Sequence, residues 1–244
     1  MRQAPRNIVA DRNAAPGSRG SLVTLPGYNE GAWWVQDAAA ALPARLFGVL
    51  GGREVVDLCA APGGKSAQLA AAGARVTAVD RSTRRLERLV ANLRRLALPI
   101  DAVAADALTW RPAQPVDAVL LDAPCSTTGA IRRHPDVQHL KSPEDVTRLS
   151  MVQENLLRAA VDMLRLGGTL VYCTCSLEPQ EGPERIEALL CSGAPMTRRE
   201  IEPDEIGARP EWITPEGDLR TLPCHFDEYD GIDGFFCARL IKIG

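Results

Sequence analysis

The sequence lacks the long apolar segments that a membrane protein needs. Nowhere in its 244 residues do eighteen or more apolar residues follow one another, and the N-terminus has no charged segment followed by an apolar one. We therefore expect neither a membrane span nor a secretory signal, and predict a soluble, cytoplasmic chain. Its hydrophobic content of 45% is enough for a sizeable core in one domain with an appendage.

Paired cysteines and a strong net charge are also missing. None of the seven cysteines forms a C-x-x-C pair, so neither a metal site nor a disulfide framework is expected. The formal net charge of −3 gives no general attraction to a polyanion. A nucleic-acid partner would have to be held by a local basic patch or by another domain.

The segment 55–66, VVDLCAAPGGKS, is the most informative part of the chain. It predicts a buried strand, a tight turn at 62–64 and a helix that begins near Lys65. A strand, a glycine-rich turn and a helix in this order open a doubly wound α/β sheet, whose ligands bind beyond the carboxyl ends of the strands.

Two familiar phosphate-binding patterns do not fit this turn. A P-loop needs glycine at position 59, which is Cys59, and a dinucleotide fingerprint needs three glycines where only Gly63 and Gly64 are present. A ligand that approaches the backbone without a phosphate, such as S-adenosylmethionine, fits better. An ordinary turn between a strand and a helix is the competing interpretation.

Composition divides the chain into a tail and one domain. Residues 1–21 have hardly any apolar pattern and are predicted to be a mobile tail or linker, and residues 22–244 to be the folded domain. Within the domain, 22–50 form a lead-in segment with a short helix at 38–46 that Asp37 caps. We note Gln36 and Asp37 as residues that line a site.

Acidic residues end three of the predicted strands. Asp80 ends the strand 75–80 at the distance from the glycine-rich turn where an acid binds ribose hydroxyls in such folds. Capping of the next helix, 82–97, is the alternative role for Asp80. Asp106 ends the strand 100–107, where it can contact an adenine amino group, and Asp122 ends the strand 116–122.

Two cysteines are predicted at the same edge of the sheet. Pro124 stops the fourth strand and leaves Cys125 at its carboxyl end, and a fifth strand at 169–176 carries Cys175 to that edge. Cys173 lies deeper in the fifth strand, as a small core residue. The segment 233–242 is expected to add an antiparallel C-terminal strand.

Further helices and one basic loop complete the prediction. Ser142 caps a helix that runs to about Arg165 and is ended by glycines 167 and 168, and another helix follows at 179–190. Residues 191–222 are expected to be irregular. The loop 129–136 is predicted to grip a phosphate backbone, with a plain solvated loop as the alternative; its candidate RNA-binding residues are Arg132, Arg133 and His134. In the helix 82–97 the predicted buried residues are Leu86, Leu89, Val90, Leu93 and Leu96, and the predicted solvated ones are Arg84, Arg88 and Arg95.

Three motifs in order carry a resemblance to a known family: CAAPGGK at 59–65, DAPCS at 122–126 and TCS at 174–176. With Gly129 and the RRHPD segment at 132–136, they resemble the RNA (cytosine-5) methyltransferases of the bacterial Sun/Fmu type, which modify 16S ribosomal RNA. The similarity extends over 26–242 and includes DGFF at 233–236. One departure is Glu181-Gly182, where the family usually has Glu-Asn.

The resemblance implies a Rossmann-like fold, S-adenosylmethionine as cofactor and ribosomal RNA as substrate. It further implies that Cys175 is the nucleophile that adds to the cytosine, that Cys125 assists breakdown of the covalent adduct, and that Asp122 hydrogen-bonds the base. It implies no metal. The implied cofactor-binding residues are Cys59, Ala60, Ala61, Pro62, Gly63, Gly64, Lys65, Asp80, Asp106 and Asp122.

Other functions stay open on the sequence alone. The chain can be a cofactor-binding RNA or ribosome assembly factor with weak or no methylation, or a methyltransferase of tRNA. The roles of the two cysteines can be exchanged, since DNA cytosine methyltransferases use a Pro-Cys nucleophile. An NAD-dependent oxidoreductase is disfavoured by the glycine pattern. We expect a lowered thiol pKa at Cys175 and weak, salt-sensitive RNA binding, and a monomer is compatible with the pattern.

Overall fold

The computed structural model of the protein describes residues 6–9, 22–226 and 231–244, in which strands and helices alternate along much of the chain. The strands are β1 Arg6–Val9, β2 Trp33–Gln36, β3 Glu54–Leu58, β4 Arg75–Asp80, β5 Asp101–Ala104, β6 Val116–Asp122, β7 Leu164–Thr174, β8 Met196–Arg198, β9 Leu219–Thr221 and β10 Phe235–Lys242. The α-helices are α1 Gly64–Ala71, α2 Thr83–Arg95, α3 Val137–Leu140, α4 Pro143–Met163 and α5 Pro183–Cys191.

The central sheet has the order β5-β4-β3-β6-β7-β10-β8, and β9 also pairs with β10. The five strands from β5 to β7 are parallel, whereas β10 runs antiparallel to β7. Successive parallel strands extend from β3 first to one side and then to the other, so a crevice opens beyond the carboxyl ends of β3 and β6. The prediction of a doubly wound sheet with an antiparallel C-terminal strand is confirmed.

Alternating apolar residues cover both faces of this sheet. Val56 and Leu58 of β3 belong to a core with α4 and α5, and Val55 belongs to a second core with α1 and the lead-in segment. In β7 the same alternation separates Tyr172 from Cys173. Strands buried on both faces need such apolar runs, which explains why the sequence signal was strong here.

Local signals account for the two long helices. Ser142 Oγ accepts the Asp145 N–H while the Asp145 carboxylate accepts the Ser142 N–H, which closes a capping box at the start of α4. Ser82 caps α2, whose residues Leu86, Leu89 and Leu93 are buried as predicted. Val90 was expected on that face but is 41% exposed.

The fifth strand begins earlier than predicted. Helix α4 ends at Met163, and β7 starts at Leu164, which pairs with Val116; the next pair is Thr169 with Ala118. Residues 165–168 therefore bulge out of the ladder, and glycines 167 and 168 lie in this bulge and do not end the helix. The pairing with β6 outweighs the local glycine signal.

The C-terminal part is more regular than predicted. The range 191–222 contains β8 and β9, both paired with β10. The helix expected at 179–190 is divided into a 3₁₀ turn, Pro179–Glu181, and α5, with Gly182 between them. These two short strands show no clear alternation of apolar and polar residues in the sequence. They are stabilised by pairing with β10, which the sequence alone does not reveal.

The lead-in segment packs against the sheet in a way the sequence indicated only partly. β2 is followed by 3₁₀ turns at Ala39–Ala41 and Pro43–Phe47, and Asp37 Oδ1 accepts the Ala39 N–H at 2.9 Å. Arg95, expected to be solvated, is half-buried and donates to the carbonyls of Tyr28 and Trp33. These contacts with the lead-in segment cover Arg95, although its spacing in α2 predicted a solvated position.

The predicted tail, 1–21, differs from the structure at Arg6–Val9, which forms a strand parallel to β2. The other residues of that range lie outside the described residues. In the described part of the chain, no helix combines the length and apolar character that crossing a bilayer requires.

Candidate active site at the carboxyl edge of the sheet

The turn between β3 and α1 brings main chain close to the crevice. Gly63 has a φ of +100°, and a Cβ there would lie 2.7 Å from Leu89 Cγ. A Cβ on Gly64 would lie 3.3 Å from Gln36 Cδ. Because the turn is packed between α2 and β2, glycine is needed at Gly63, and the residues 59–65 present mainly backbone to a ligand.

A first cavity, of about 160 Å³, lies on the β4 side of this turn. It contains two of the three strand-end acids predicted to bind cofactor, Asp80 and Asp106, together with Cys59. Burial raises the pKa of the Cys59 thiol to about 12, so this cysteine stays protonated. Its other lining residues include Arg85, Pro124, Val152 and Leu156.

Asp80 holds the turn in place while it faces the first cavity. Its Oδ2 accepts the Ala61 N–H at 3.1 Å, and its Oδ1 accepts the Ser82 N–H at 2.9 Å. The cap of α2 is Ser82, and Asp80 supports that cap. Asp106 is more exposed, and its Oδ1 accepts the Leu108 N–H at 2.9 Å.

A second cavity, of about 360 Å³, lies on the β6 and β7 side of the turn. The turn thus separates two cavities: Asp80 and Asp106 line the first, whereas Lys65, Asp122 and Cys175 line the second. The lining of the second cavity includes Gln36, Asp37, Asp57, Ala60, Pro62, Gly63, Gly64, Lys65, Asp122, Arg133, Cys175, Asp233 and Phe235.

Asp57 was not predicted as a site residue, yet it lines the second cavity. It is completely buried; its Oδ2 accepts the Ser66 hydroxyl at 2.6 Å, and its Oδ1 finds no hydrogen-bond donor among the described residues. Burial raises its pKa to about 7. A buried carboxylate oxygen without a donor suits a cationic ligand group. The sequence marked Asp57 only as one acidic residue within an apolar strand.

The thiols of Cys125 and Cys175 meet beside the second cavity, with their Sγ atoms 3.4 Å apart. The hydrogen bond from Cys125 lowers the pKa of the Cys175 thiol, in the direction expected from the sequence. The same hydrogen bond, together with burial, raises the pKa of Cys125 well above its ordinary value. Of the two thiols, Cys175 is therefore the first to lose its proton.

Lys65 and Asp122 form an ion pair next to the cysteines, with Nζ 2.7 Å from Oδ2. Burial lowers the pKa of Lys65, but Asp122 more than offsets this effect and the pKa is raised. Lys65 therefore remains charged, and its charge favours the Cys175 thiolate. Cys173, predicted as a core residue, is buried behind Asp122.

Two arginines of the basic loop make internal contacts that the sequence did not predict. Arg132 lies 3.2 Å from Asp37 and 3.7 Å from Asp233, and Arg133 makes a bidentate contact with Asp233. Asp233 is buried and the side chain of Asp37 is largely covered, so these arginines neutralise internal charge. Of the three candidate residues, His134 is exposed and has no such role. Arg133 still reaches the second cavity, and contact of these residues with RNA stays a prediction.

Gly182 stands where the resembled family usually has asparagine, and the space at this position is tight. A Cβ on Gly182 would lie 3.0 Å from the Phe236 ring, tighter than ordinary van der Waals contact. The preceding Glu181, also missed as a site residue, is completely buried and accepts a hydrogen bond from the Ser126 N–H at 2.9 Å. Glycine at 182 thus lets β10 pack closely against the segment that holds Glu181.

The chain is similar to known proteins over most of its length. Residues 50–241 match the family model described as 16S rRNA methyltransferase RsmB/F. Ribosomal RNA small subunit methyltransferase B of Pseudomonas syringae pv. tomato is 42% identical, over 90% of this chain and 49% of its own length. The protein of that name from Cronobacter sakazakii is 40% identical, over 98% of this chain and 53% of its own. The chain spans about half the length of these relatives.

Solved structures agree with the fold. NSun6 from Pyrococcus horikoshii with SFG is 26% identical and superposes with a TM-score of 0.76, over 92% of this chain and 57% of that chain. The N-methyltransferase NodS from Bradyrhizobium japonicum, in complex with S-adenosyl-L-homocysteine, is 15% identical with a TM-score of 0.52, over 84% of this chain and 85% of that chain. The second likeness concerns the fold alone.

Proposed function

The chain belongs to the 16S rRNA methyltransferase RsmB/F family, and we propose that it transfers a methyl group from S-adenosylmethionine to carbon 5 of a cytosine in RNA. The names of its relatives, ribosomal RNA small subunit methyltransferase B, support ribosomal RNA over tRNA as the substrate. The observation that carries the proposal is the cysteine pair, one thiol with a lowered and one with a raised pKa, beside a cavity that the glycine-rich turn also lines.

The residues around the turn fit the cofactor. The free Oδ1 of Asp57 suits the ammonium group of its amino-acid end, and the glycines at 63 and 64 leave the main chain open to it. Asp80 and Asp106 offer carboxylate oxygens in the first cavity for the hydroxyl and amino groups of an adenosine. When bound, the cofactor supplies an electrophilic methyl group.

Carbon 5 of cytosine is a weak nucleophile, and the chain must make it electron-rich. In our proposal the Cys175 thiolate adds to carbon 6, forming a carbon–sulfur bond and moving electron density to carbon 5. Once carbon 5 carries the methyl group, water acting as a base takes the proton from carbon 5. The electron pair left behind re-forms the double bond between carbons 5 and 6 and breaks the carbon–sulfur bond, which returns Cys175 as a thiolate. Lys65 favours this thiolate before addition and after release.

Cys125 and Asp122 assist these steps. The Cys125 sulfur lies against Cys175 and assists breakdown of the adduct, so that the RNA is released. Asp122 accepts hydrogen bonds from the exocyclic amine and, when the adduct is protonated there, from the ring nitrogen. The ion pair with Lys65 orients the Asp122 carboxylate for this purpose.

A covalent RNA–protein complex, detected on a denaturing gel, tests the proposed chemistry. With S-adenosylmethionine and unmodified 16S rRNA, Cys125→Ala should accumulate the complex and Cys175→Ala should form none. Cys191→Ala, at an exposed free cysteine, is the matched control and should behave as the parent protein does. A complex formed by Cys175→Ala and lost in Cys125→Ala would assign the nucleophile to Cys125 and contradict the proposed roles.

A further inference from the structure

A buried carboxylate is hydrogen-bonded to the two residues that directly follow Cys125 and Cys175. Glu181 has no exposed surface, and the groups that hydrogen-bond its carboxylate are neutral. They are the main-chain N–H and hydroxyl of Ser126, the hydroxyl of Ser176 and the side-chain amide of Gln153. Burying a charge among neutral donors costs free energy. The electric field of such a charge is only weakly screened, so it acts on nearby groups.

The donors connect Glu181 to both cysteines. Ser126 follows Cys125 directly, and Ser176 follows Cys175 directly; the Ser176 hydroxyl donates to Glu181 Oε2 at 2.6 Å. The Gln153 amide also donates to the Pro124 carbonyl at 2.9 Å, one residue before Cys125. One carboxylate therefore fixes the two segments, 50 residues apart in sequence, whose thiols must lie within hydrogen-bond distance.

The main chain of Glu181 is fixed as firmly as its side chain. The buried Tyr172 hydroxyl donates to the Glu181 carbonyl at 2.6 Å. Since Tyr172 lies in β7, the Glu181 backbone is tied to the strand that presents Cys175. The main chain of Glu181 cannot move away from β7 without breaking this bond.

The charges around the two thiols are arranged asymmetrically. The hydrogen bond with Cys175, burial, the charge of Cys175 and the charge of Glu181 raise the pKa of Cys125, in that order. The hydrogen bond from Cys125 lowers the pKa of Cys175; burial and Asp122 oppose this effect, and Lys65 supports it. The titratable and charged groups that face the pair are Lys65, Asp122, Arg133, Tyr172, Cys173 and Glu181. Cys125 thus faces negative charge, whereas Cys175 faces the opposed charges of Asp122 and Lys65.

We propose that Glu181 is a positioning residue that holds Cys125 and Cys175 against each other and, by its negative charge, keeps the shared proton on Cys125. Cys175 is then the first of the two thiols to ionise, and this order exists before any RNA binds. The catalytic consequence rests on the proposed function, whereas the order of the two thiols is a property of the folded chain and can be measured without RNA.

Alkylation by iodoacetamide across a pH series, with mass spectrometry at each cysteine, tests this inference. In the parent protein Cys175 should react before Cys125 and at lower pH. Glu181→Gln keeps the shape of the side chain and removes its charge, so the pH for half-reaction of Cys125 should fall by about one unit and the selectivity for Cys175 by roughly tenfold. Asp218→Asn, at a buried acid paired with Arg198, is the control and should leave both profiles unchanged.

Two outcomes would overturn the inference. The first is a folded Glu181→Gln protein, judged by cofactor binding, with the parent's pH profiles at both cysteines. The second needs no variant: Cys125 reacting before Cys175 in the parent protein. A shifted profile in Glu181→Gln together with no methylation of RNA by the parent would leave the inference standing and contradict the proposed function instead.

Discussion

Gly129 and Gly234 bring distant parts of the chain into main-chain contact beside the cysteine pair. The Gly234 N–H donates to the Gly129 carbonyl at 2.8 Å, and the Gly129 N–H donates to the Cys175 carbonyl at 3.0 Å. The loop that follows Cys125, the segment that carries Cys175 and the start of β10 are thus joined by two hydrogen bonds. The geometry of the pair depends on this close approach.

Gly129→Ala should therefore displace the main chain beside the cysteine pair and impair the site. A Cβ at Gly129 would overlap the carbonyl oxygen of Gly234, so the main chain has to shift. We expect a loss of about 1–3 kcal/mol in the free energy of unfolding, measured in urea, and loss of most methyl transfer. Gly51→Ala, where nothing lies near the added Cβ and φ is not positive, should change neither quantity. Full activity in Gly129→Ala would show that the pair tolerates this shift.

Cofactor binding should depend on pH through Asp57. Its pKa is about 7 in the ligand-free protein because it is buried, and an ammonium group needs the ionised carboxylate. Affinity for S-adenosylmethionine, measured by calorimetry between pH 5.5 and 7.5, should therefore fall as the pH falls, by up to about tenfold per pH unit. Asp57→Asn should bind weakly and without this pH dependence.

Ser66→Ala gives a matched variant for the same prediction. It keeps the carboxylate but removes the hydroxyl that lowers the pKa of Asp57. The pH at which affinity begins to fall should move upward. An Asp57→Asn protein that binds with the parent's affinity and pH profile would show that Asp57 does not contact the cofactor's charged end.

Arg132→Ala should destabilise the fold. Its side chain pairs with the buried Asp37 and Asp233, and Asp37 already has a raised pKa because of burial and of the charge on Asp233. Without Arg132 the Asp37 carboxylate loses this ion pair, while Asp233 keeps its contact with Arg133. We expect a loss of about 3 kcal/mol in the free energy of unfolding at pH 7.5. Arg88→Ala, at an exposed position of α2, should change it little. Equal stability of the two variants would argue that Arg132 acts outside the fold, as the sequence suggested.

RNA binding by this chain should be weak and sensitive to salt. The net charge is −3, and two of the three basic loop residues are engaged with internal acids. If about three phosphates are contacted, the affinity for single-stranded RNA should fall about twentyfold from 50 to 200 mM salt. Fluorescence anisotropy with a labelled RNA measures this, and nanomolar binding that survives high salt would contradict it.

The sequence predicted those parts of the site that depend on strand ends. Apolar runs followed by Asp80, Asp122 and the two cysteines located the edge where Cys125 and Cys175 meet, because parallel strands end on the same side of a sheet. The capped start of α4 at Ser142 is equally local and was also predicted.

What the sequence did not predict depends on partners far apart in the chain. In the sequence, Arg133 looks like a residue free to bind phosphate, because its partner Asp233 lies 100 positions away and cannot be identified from the sequence. Glu181 resembled an ordinary acid in a helix start, and its burial against Ser126 and Ser176 appears only once β6 and β7 are neighbours. Asp57 carried no marker except its place in an apolar strand.

Transfer of labelled methyl groups from S-adenosylmethionine to unmodified 16S rRNA, with tRNA in parallel and the modified nucleoside identified, tests the central claim most directly. We predict label in 5-methylcytosine of 16S rRNA, lost in both Cys175→Ala and Cys125→Ala. Label in a different nucleoside, or label that persists in Cys175→Ala, would contradict the proposed chemistry. No label in either RNA, with the cofactor bound, would contradict the proposed activity of this chain.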